Sequence, residues 1–190
     1  SYSVASWSGL LNRENLTWDA KWLDILGLSE DKFPQLADMD AVQTGLAPEY
    51  AERWPALRDV PFFLAVGDGA AANIGSGAIS TETLALTIGT TAAIRRVVAQ
   101  PEGEKTPPVP DGLWGYRVTK GLHLIGGATS EGGNLYEWAS ETLQLPDADT
   151  VEKMLLTAKP GEHDLTVLPL LAGERSPGWW LNASGVISGL

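Results

Sequence analysis

Two apolar runs in the middle of the chain each stop at a glycine that is followed by a polar residue. The first run covers residues 61–66 and leads into Gly67-Asp68-Gly69. The second covers residues 84–88 and leads into Gly89-Thr90-Thr91. Short apolar runs bounded by glycines are typical of buried β-strands, and ligands of open α/β sheets bind beyond such strand ends. The Asp68 carboxylate and the two threonine hydroxyls are therefore candidates for chemistry.

Composition and charge narrow the class of protein. The chain has 190 residues, 44% of them apolar and 19% charged, which is typical of a globular protein with a buried core. The net charge is −11 and the thirteen basic residues are scattered, so we expect no nucleic-acid partner, because phosphate neutralisation needs clustered Lys and Arg. No apolar run is long enough to cross a bilayer, and no basic-then-apolar segment opens the sequence. We therefore expect a cytoplasmic protein without membrane contact.

The first third of the chain carries weak local patterns. Residues 1–12 are rich in small and hydroxyl side chains and predict a loop. A helix is predicted after Thr17, the expected capping residue, with Gly27 closing it. Its expected inward face consists of Trp18, Trp22, Ile25 and Leu26. A short extended piece is predicted at residues 41–44, inside a polar connector.

The rest of the chain predicts alternating strands and helices. Asp68 is expected at the N-terminus of a short alanine-rich helix over residues 70–74. Residues 83–88 and 92–98 are rich in β-forming residues, and the tight link between them predicts an antiparallel hairpin. The other predicted elements are strands at residues 113–118, 122–125 and 165–171, the middle one ended by Gly126-Gly127, and helices at residues 130–143 and 151–158.

Each candidate site residue has a plainer structural alternative. Asp68 could be an N-cap carboxylate, although the small residues on both sides favour a general base that a substrate hydroxyl can approach. Gly67, Gly69 and Ala72 also match a dinucleotide fingerprint, but an aspartate between the glycines would repel a pyrophosphate. The Gly89-Thr90-Thr91 link is either a simple hairpin turn or a turn that wraps a nucleotide phosphate.

A protein-bound metal is not predicted. The chain has no cysteine, and neither His123 nor His163 has a partner at a metal-ligand spacing.

Four motifs in order resemble the FGGY carbohydrate kinases. They are Gly67-Asp68-Gly69-Ala70, then Ile88-Gly89-Thr90-Thr91, then Ile125-Gly126-Gly127-Ala128, and then Gly173-Glu174-Arg175-Ser176-Pro177. The resemblance implies a ribonuclease H-like, actin-like fold with parts of two domains and a cleft between them. Residues 1–79 correspond to the C-terminal part of the sugar-binding domain, and residues 80–190 to the N-terminal part of the nucleotide-binding domain. The family's Asp-x-Gly-Thr phosphate loop and its late adenine-binding Gly-Gly segment are not found, so we expect this segment alone to be inactive.

The resemblance also implies roles for individual residues. Asp68 corresponds to the aspartate that accepts the proton of the attacking sugar hydroxyl, and Gly67 accompanies it at the sugar. Contacts to MgATP fall on Gly89, Thr90 and Thr91, and also on Gly133 and Glu137, the last at a position where similar kinases often carry glutamine.

The substrate and the alternatives follow from the same motifs. They look closest to gluconate kinases and next to xylulokinases, so gluconate with ATP and Mg²⁺ is the favoured set of ligands. A homodimer is compatible with this interpretation. An alternative of another class is a non-catalytic actin-like module that binds a nucleotide or a sugar and regulates a partner.

Overall fold

A computed structural model describes residues 1–189 and confirms the predicted mixed α/β class. The helices are α1 (Tyr2–Trp7), α2 (Ala20–Ile25), α3 (Pro48–Arg53), α4 (Asp68–Gly75), α5 (Gly133–Thr142) and α6 (Ala148–Thr157), with short 3₁₀ turns at Glu30–Lys32 and Pro55–Leu57. The strands are β1 (Leu11–Asn12), β2 (Thr17–Trp18), β3 (Val42–Gln43), β4 (Phe62–Phe63), β5 (Ala85–Ile88), β6 (Ala92–Ala99), β7 (Trp114–Thr119), β8 (Leu122–Thr129), β9 (Thr166–Leu168) and β10 (Val186–Ser188). Residue 190 of the predicted second domain lies outside the described residues.

One sheet of four strands runs in the order β5-β6-β8-β7. The predicted hairpin is confirmed, because β5 and β6 are neighbours in this sheet and only three residues join them. Three further pairs, β1 with β2, β3 with β4 and β9 with β10, are antiparallel. In β9–β10, Leu168 lies opposite Val186 and Thr166 opposite Ser188.

The chain forms two compact units. Unit 1 contains Ser1–Ala85, Arg96–Val109 and Gly115–Ile125. Unit 2 contains Leu86–Arg95, Pro110–Trp114 and Gly126–Leu190, of which the last residue is not described. Helices α1 to α4 belong to unit 1, and α5 and α6 belong to unit 2.

The core of unit 1 forms where α4 packs on strands of the sheet. It consists of Ala70, Val97, Val118 and Leu124, with relative exposures of 0% to 2%. An alanine on α4 lets the helix backbone approach the strands closely, and the β-branched valines suit the pleated surface. Burying a side chain such as Leu124 stabilises the fold by about 1.5–3 kcal/mol. This packing fixes α4, and with it Asp68, on a rigid base.

The predicted loop at residues 1–12 is wrong for its first part, which forms α1. Ser1 caps the helix, because its hydroxyl accepts a hydrogen bond from the Val4 N–H group at 3.2 Å. Ser3 and Ala5 are buried. Small hydroxyl residues have low helix propensity in isolation, but here one of them caps the helix and another faces the interior, which a local pattern cannot reveal.

The capping residue and the buried face of the second helix both differ from the prediction. Asp19 caps α2 through bonds from the N–H groups of Lys21 and Trp22, whereas Thr17 lies in β2. Leu23 is the buried residue of α2, while the expected inward residues Trp22, Ile25 and Leu26 are 50% to 59% exposed. Gly27 does close the helix, with a positive φ of 65° and a bond from its N–H to the Asp24 carbonyl.

Three other elements differ in their boundaries from the prediction. The run at residues 61–66 contains only the two-residue β4, whose phenylalanines are exposed, so it is not a buried strand. Gly126-Gly127 does not end β8, which continues to Thr129. A Cβ on Gly126 would lie 2.7 Å from the Trp114 ring, so the glycine provides room for close packing within the sheet. The last helix begins at Ala148, three residues before the predicted start, and Asp147 caps it.

Unit 1 also buries polar side chains of strands β7 and β8. Arg117 is 1% exposed, and its guanidinium donates to the carbonyls of Arg13 and Lys120. His123 is fully buried, and its Nε2 lies 2.6 Å from Gln100 Oε1. Burial first, and then the positive charges of Arg117 and Arg13, lower the pKa of His123 to about 4. The imidazole is therefore neutral near pH 7.

Within residues 1–189, no helix has the length and apolar character needed to cross a bilayer.

Candidate functional site

The Asp68 carboxylate is accessible at the start of α4. Asp68 is the first helical residue and is exposed, and the preceding Gly67 is the N-cap. One carboxylate oxygen, Oδ1, accepts a hydrogen bond from the Gly69 N–H group at 2.6 Å. Within residues 1–189 no cation forms an ion pair with it. A carboxylate in the first turn of a helix interacts favourably with the helix dipole, and its second oxygen, Oδ2, is available to accept a proton or a hydrogen bond from a hydroxyl.

Gly67 is required by the packing of the turn that presents Asp68. A Cβ at Gly67 would overlap the indole of Trp7, lying 2.7 Å from Cε2. The Trp7 ring is itself packed edge-to-face against Tyr116, with ring centroids 5.6 Å apart. Any larger residue at this position would displace the ring or the turn.

The structure does not support the dinucleotide fingerprint. The short strand β4 that precedes Gly67 pairs antiparallel with β3. The fingerprint requires a strand of a parallel βαβ unit leading directly into the glycine turn.

The Gly89-Thr90-Thr91 turn is exposed and retains free hydroxyl groups. Gly89 donates its N–H to the Thr91 carbonyl at 2.9 Å, which closes the turn. The hydroxyls of Thr90 and Thr91 form no hydrogen bond with any residue in the described part of the chain. A Cβ on Gly89 would meet only the Thr91 carbonyl oxygen, at 3.9 Å, so the space beside this glycine is open. Such a turn can donate to a phosphate oxygen through its hydroxyls.

Helix α5 begins directly against this turn. The Gly133 N–H donates to the Gly89 carbonyl at 2.6 Å, and the Asn134 N–H donates to the Thr90 carbonyl at 3.4 Å. Two N–H groups at the helix start are therefore already used. The N-terminus of α5 thus holds the turn in place instead of offering these donors to an anion.

Gly132 allows this close approach and was not among the predicted site residues. A Cβ on Gly132 would lie 2.7 Å from the Gly89 oxygen and 2.8 Å from the Thr91 oxygen. Asn134 was also missed: its Oδ1 accepts from the Gly132 N–H at 2.7 Å. The available sequence signal was an asparagine directly after two glycines at a predicted helix start, which is a residue type that satisfies free backbone N–H groups.

The predicted site residues fall into two sets, one in each unit. Gly67 and Asp68 lie in unit 1, whereas Gly89, Thr90, Thr91 and Gly133 contact one another in unit 2. Glu137 is exposed on α5, one helical turn after Gly133, and forms no hydrogen bond or ion pair with other described residues. In the described part of the chain, no three histidine or acidic side chains lie close enough together to hold a metal ion.

Several known carbohydrate kinases are similar to this chain in sequence and in fold. Residues 1–75 match the profile of the FGGY family of carbohydrate kinases, N-terminal domain. A gluconokinase of Bacillus licheniformis is 30% identical over 200 aligned positions, which cover 100% of this chain and 38% of that protein. A gluconate kinase structure and a ligand-bound xylulose kinase structure, both from Lactobacillus acidophilus, are each 33% identical, with TM-scores of 0.87 and 0.86. Each of these two alignments covers 100% of this chain and 38% of the kinase chain in the solved structure.

The chain spans a little over a third of the length of the relatives it matches, and the similarity runs through the whole of it. The predicted actin-like kinase fold is confirmed by the two solved structures. The profile match assigns residues 1–75 to the N-terminal domain of the FGGY family of carbohydrate kinases, and the whole chain is similar to a segment of gluconate and xylulose kinases.

Proposed function

We propose that this protein is an ATP-dependent kinase that transfers the γ-phosphoryl group to a hydroxyl of a sugar or sugar acid, with gluconate as the favoured acceptor. The observation that carries the proposal is the exposed Asp68 carboxylate at the first residue of α4, in a chain that aligns throughout with a gluconokinase. Phosphoryl transfer depends mainly on positioning and charge stabilisation. An accessible carboxylate on a rigidly packed helix suits that demand.

Asp68 acts in this proposal as the general base. Its free oxygen accepts the proton of the acceptor hydroxyl while the hydroxyl oxygen forms a bond to the γ-phosphorus and the bond to ADP breaks. A base of this kind must lie within about 2.6–3.2 Å of the proton donor. Gly67, directly before Asp68, is proposed to lie at the sugar through its backbone, because the Trp7 indole occupies the space where a side chain would project.

The Gly89-Thr90-Thr91 turn is proposed to contact the ATP phosphates. Its two unpartnered hydroxyls are the donors, and the open space at Gly89 lets the phosphates approach the backbone. Gly133 supports the turn through its bond to Gly89. Glu137, on the same face of α5 as Gly133, is proposed as a further nucleotide contact, since residues four apart on a helix are neighbours.

Mg²⁺ is proposed to arrive with ATP. The described residues provide no cluster of three acidic or histidine groups, so a cage built from this chain does not fit the ion. In kinases Mg²⁺ is commonly held by substrate phosphates with one or two carboxylates.

We assign residues 1–79 to the C-terminal part of the sugar-binding domain and residues 80–190 to the N-terminal part of the nucleotide-binding domain. The family match that ends at residue 75 supports this boundary. A pentulose is the alternative acceptor, because a xylulose kinase structure is as similar as the gluconate kinase. The alternative of another class is a non-catalytic module that binds these ligands without turnover.

The test is a coupled ADP-release assay on the full-length protein with gluconate, xylulose, glycerol and ribulose. We expect gluconate to give the largest kcat/KM. Asp68→Asn should lower kcat by about 10²–10⁴-fold with KM for the sugar nearly unchanged, as expected for loss of a general base. Asp59→Asn, at another exposed aspartate of unit 1, is the matched control and should retain full activity. No ATP turnover with any acceptor, despite ligand binding, would instead support the non-catalytic module.

A further inference from the structure

Helix α1 lies against the turn that presents Asp68. Ser3 of α1 is fully buried, and its Oγ accepts a hydrogen bond from the Gly67 N–H group at 3.0 Å. This is the backbone donor directly before Asp68, and Gly67 is itself buried. A buried N–H group that loses its acceptor costs about 1–3 kcal/mol, so this bond strongly restrains the peptide plane of Gly67.

Two more contacts from the same segment hold the turn. The Ser1 hydroxyl donates to the Ala65 carbonyl at 2.5 Å. The Trp7 indole fills the space beside Gly67, where a side chain would otherwise project. The backbone on the N-terminal side of Asp68 is therefore held at residues 65 and 67 by α1 and its cap.

Helix α1 is in turn anchored on strand β7. The Arg117 N–H donates to Ser6 Oγ at 3.1 Å, and Trp7 packs edge-to-face on Tyr116. Tyr116 packs against the core cluster of unit 1. Helix α1 is therefore a short rigid link between the sheet and the Gly67–Asp68 turn.

The Asp68 side chain has little support of its own. It accepts one hydrogen bond, from the N–H of the next residue, Gly69, and it forms no ion pair in the described residues. The direction of the carboxylate is therefore set by the backbone at Gly67, which Ser3 and Trp7 fix.

We propose that Ser3, acting through the Gly67 N–H group, is a positioning residue for the Asp68 carboxylate. The proposal rests on the proposed role of Asp68 as the general base. Rate depends steeply on the placement of a base, because a displacement of about 1 Å can cost about 100-fold. Substrate affinity depends much less on this one group. Loss of the Ser3 hydroxyl therefore lowers kcat and leaves KM nearly unchanged.

The experiment compares variants of the full-length kinase. Ser3→Ala removes the acceptor and is expected to lower kcat about 10–100-fold, with KM for the sugar changed less than about twofold. Ser3→Cys keeps the shape of the side chain but replaces its oxygen with a larger sulfur, which is a weaker acceptor, so its kcat should lie between those of Ser3→Ala and the wild type. Ser8→Ala removes the hydroxyl of the residue that caps the C-terminus of α1; this hydroxyl donates to the Ala5 carbonyl and accepts from the Leu10 N–H, and its loss should leave kcat unchanged. Thermal unfolding of each variant confirms that the assay temperature lies below its transition.

A second measurement separates positioning from general destabilisation. If Ser3 acts through Asp68, then adding Ser3→Ala to Asp68→Asn should lower the residual kcat by less than about twofold, because the base is already absent. An equal fold-loss in both backgrounds would overturn the inference. So would a wild-type kcat for Ser3→Ala or Ser3→Cys while Asp68→Asn is impaired. Full activity of Asp68→Asn would refute the base assignment itself, which is a different result.

Discussion

Gly132→Ala tests whether the start of α5 holds the Gly89-Thr90-Thr91 turn, which is proposed to contact the ATP phosphates. The new Cβ would lie 2.7 Å from both the Gly89 oxygen and the Thr91 carbonyl carbon. These are backbone atoms, which cannot rotate away as a side chain can, so the turn or the helix must shift by several tenths of an ångström. Overpacking of this kind costs about 1–3 kcal/mol. The shift also lengthens the 2.6 Å bond from Gly133 to Gly89, whose loss costs about another 1 kcal/mol.

We expect Gly132→Ala to lower both the stability of the protein and its affinity for ATP. Denaturant unfolding of the full-length protein should show a loss of about 2–4 kcal/mol, the sum of the two effects if the bond is fully lost. KM for ATP at saturating sugar should rise about tenfold, which corresponds to about 1.4 kcal/mol. KM for the sugar should change little.

Gly75→Ala is the matched control. A Cβ on this helical glycine meets nothing within 4 Å, so alanine should stabilise the protein by about 0.4–1 kcal/mol and leave KM for ATP unchanged. A Gly132→Ala variant with the stability of the wild type would contradict the expected clash with the Gly89 and Thr91 backbone. A wild-type KM for ATP in a destabilised Gly132→Ala variant would instead separate the turn from nucleotide binding.

Two further predictions concern stability. The pKa of His123 in the folded protein is about 4, below the usual 6.5. As the pH falls, the unfolded state therefore takes up a proton at this histidine before the folded state does. The free energy of unfolding should drop between pH 6.5 and pH 4 by at most about 3 kcal/mol. Urea unfolding of His123→Gln between pH 7.5 and pH 4.5 should show a shallower pH dependence than the wild type, and an unchanged slope would contradict the assignment. Asp19→Ala removes the cap of α2 and should cost about 1 kcal/mol, whereas Thr17→Ala, at the predicted but incorrect capping position, should cost less than half of that by the same measurement.

The local sequence was sufficient to predict features that depend on only a few neighbouring residues. The Gly67-Asp68-Gly69 sequence before a run of alanines correctly predicted a short helix with Asp68 at its N-terminus, although the helix covers Asp68–Gly75 and not only residues 70–74. The short link at residues 89–91 correctly predicted a hairpin, because so few residues can join only adjacent strands that run in opposite directions. The four motifs, taken in their order along the chain, were sufficient to indicate the family.

Other predictions failed because a distant contact decided the outcome. The hydroxyl-rich opening predicted a loop, yet it forms α1, since Ser3 and Ser6 find partners more than 60 residues away, at Gly67 and Arg117. The inward face of α2 was assigned to its largest apolar residues, but packing buries Leu23 instead.

The sequence by itself determined the family, the position of Asp68 at a helix start, and the exposed threonine turn. Only the tertiary structure decided what holds these two features. The Asp68 turn depends on Ser3, and the threonine turn depends on the first residues of α5, each many positions away along the chain. Capping and turn preferences act over three or four residues, whereas the acceptor of a buried N–H group depends on which segments the whole fold brings together.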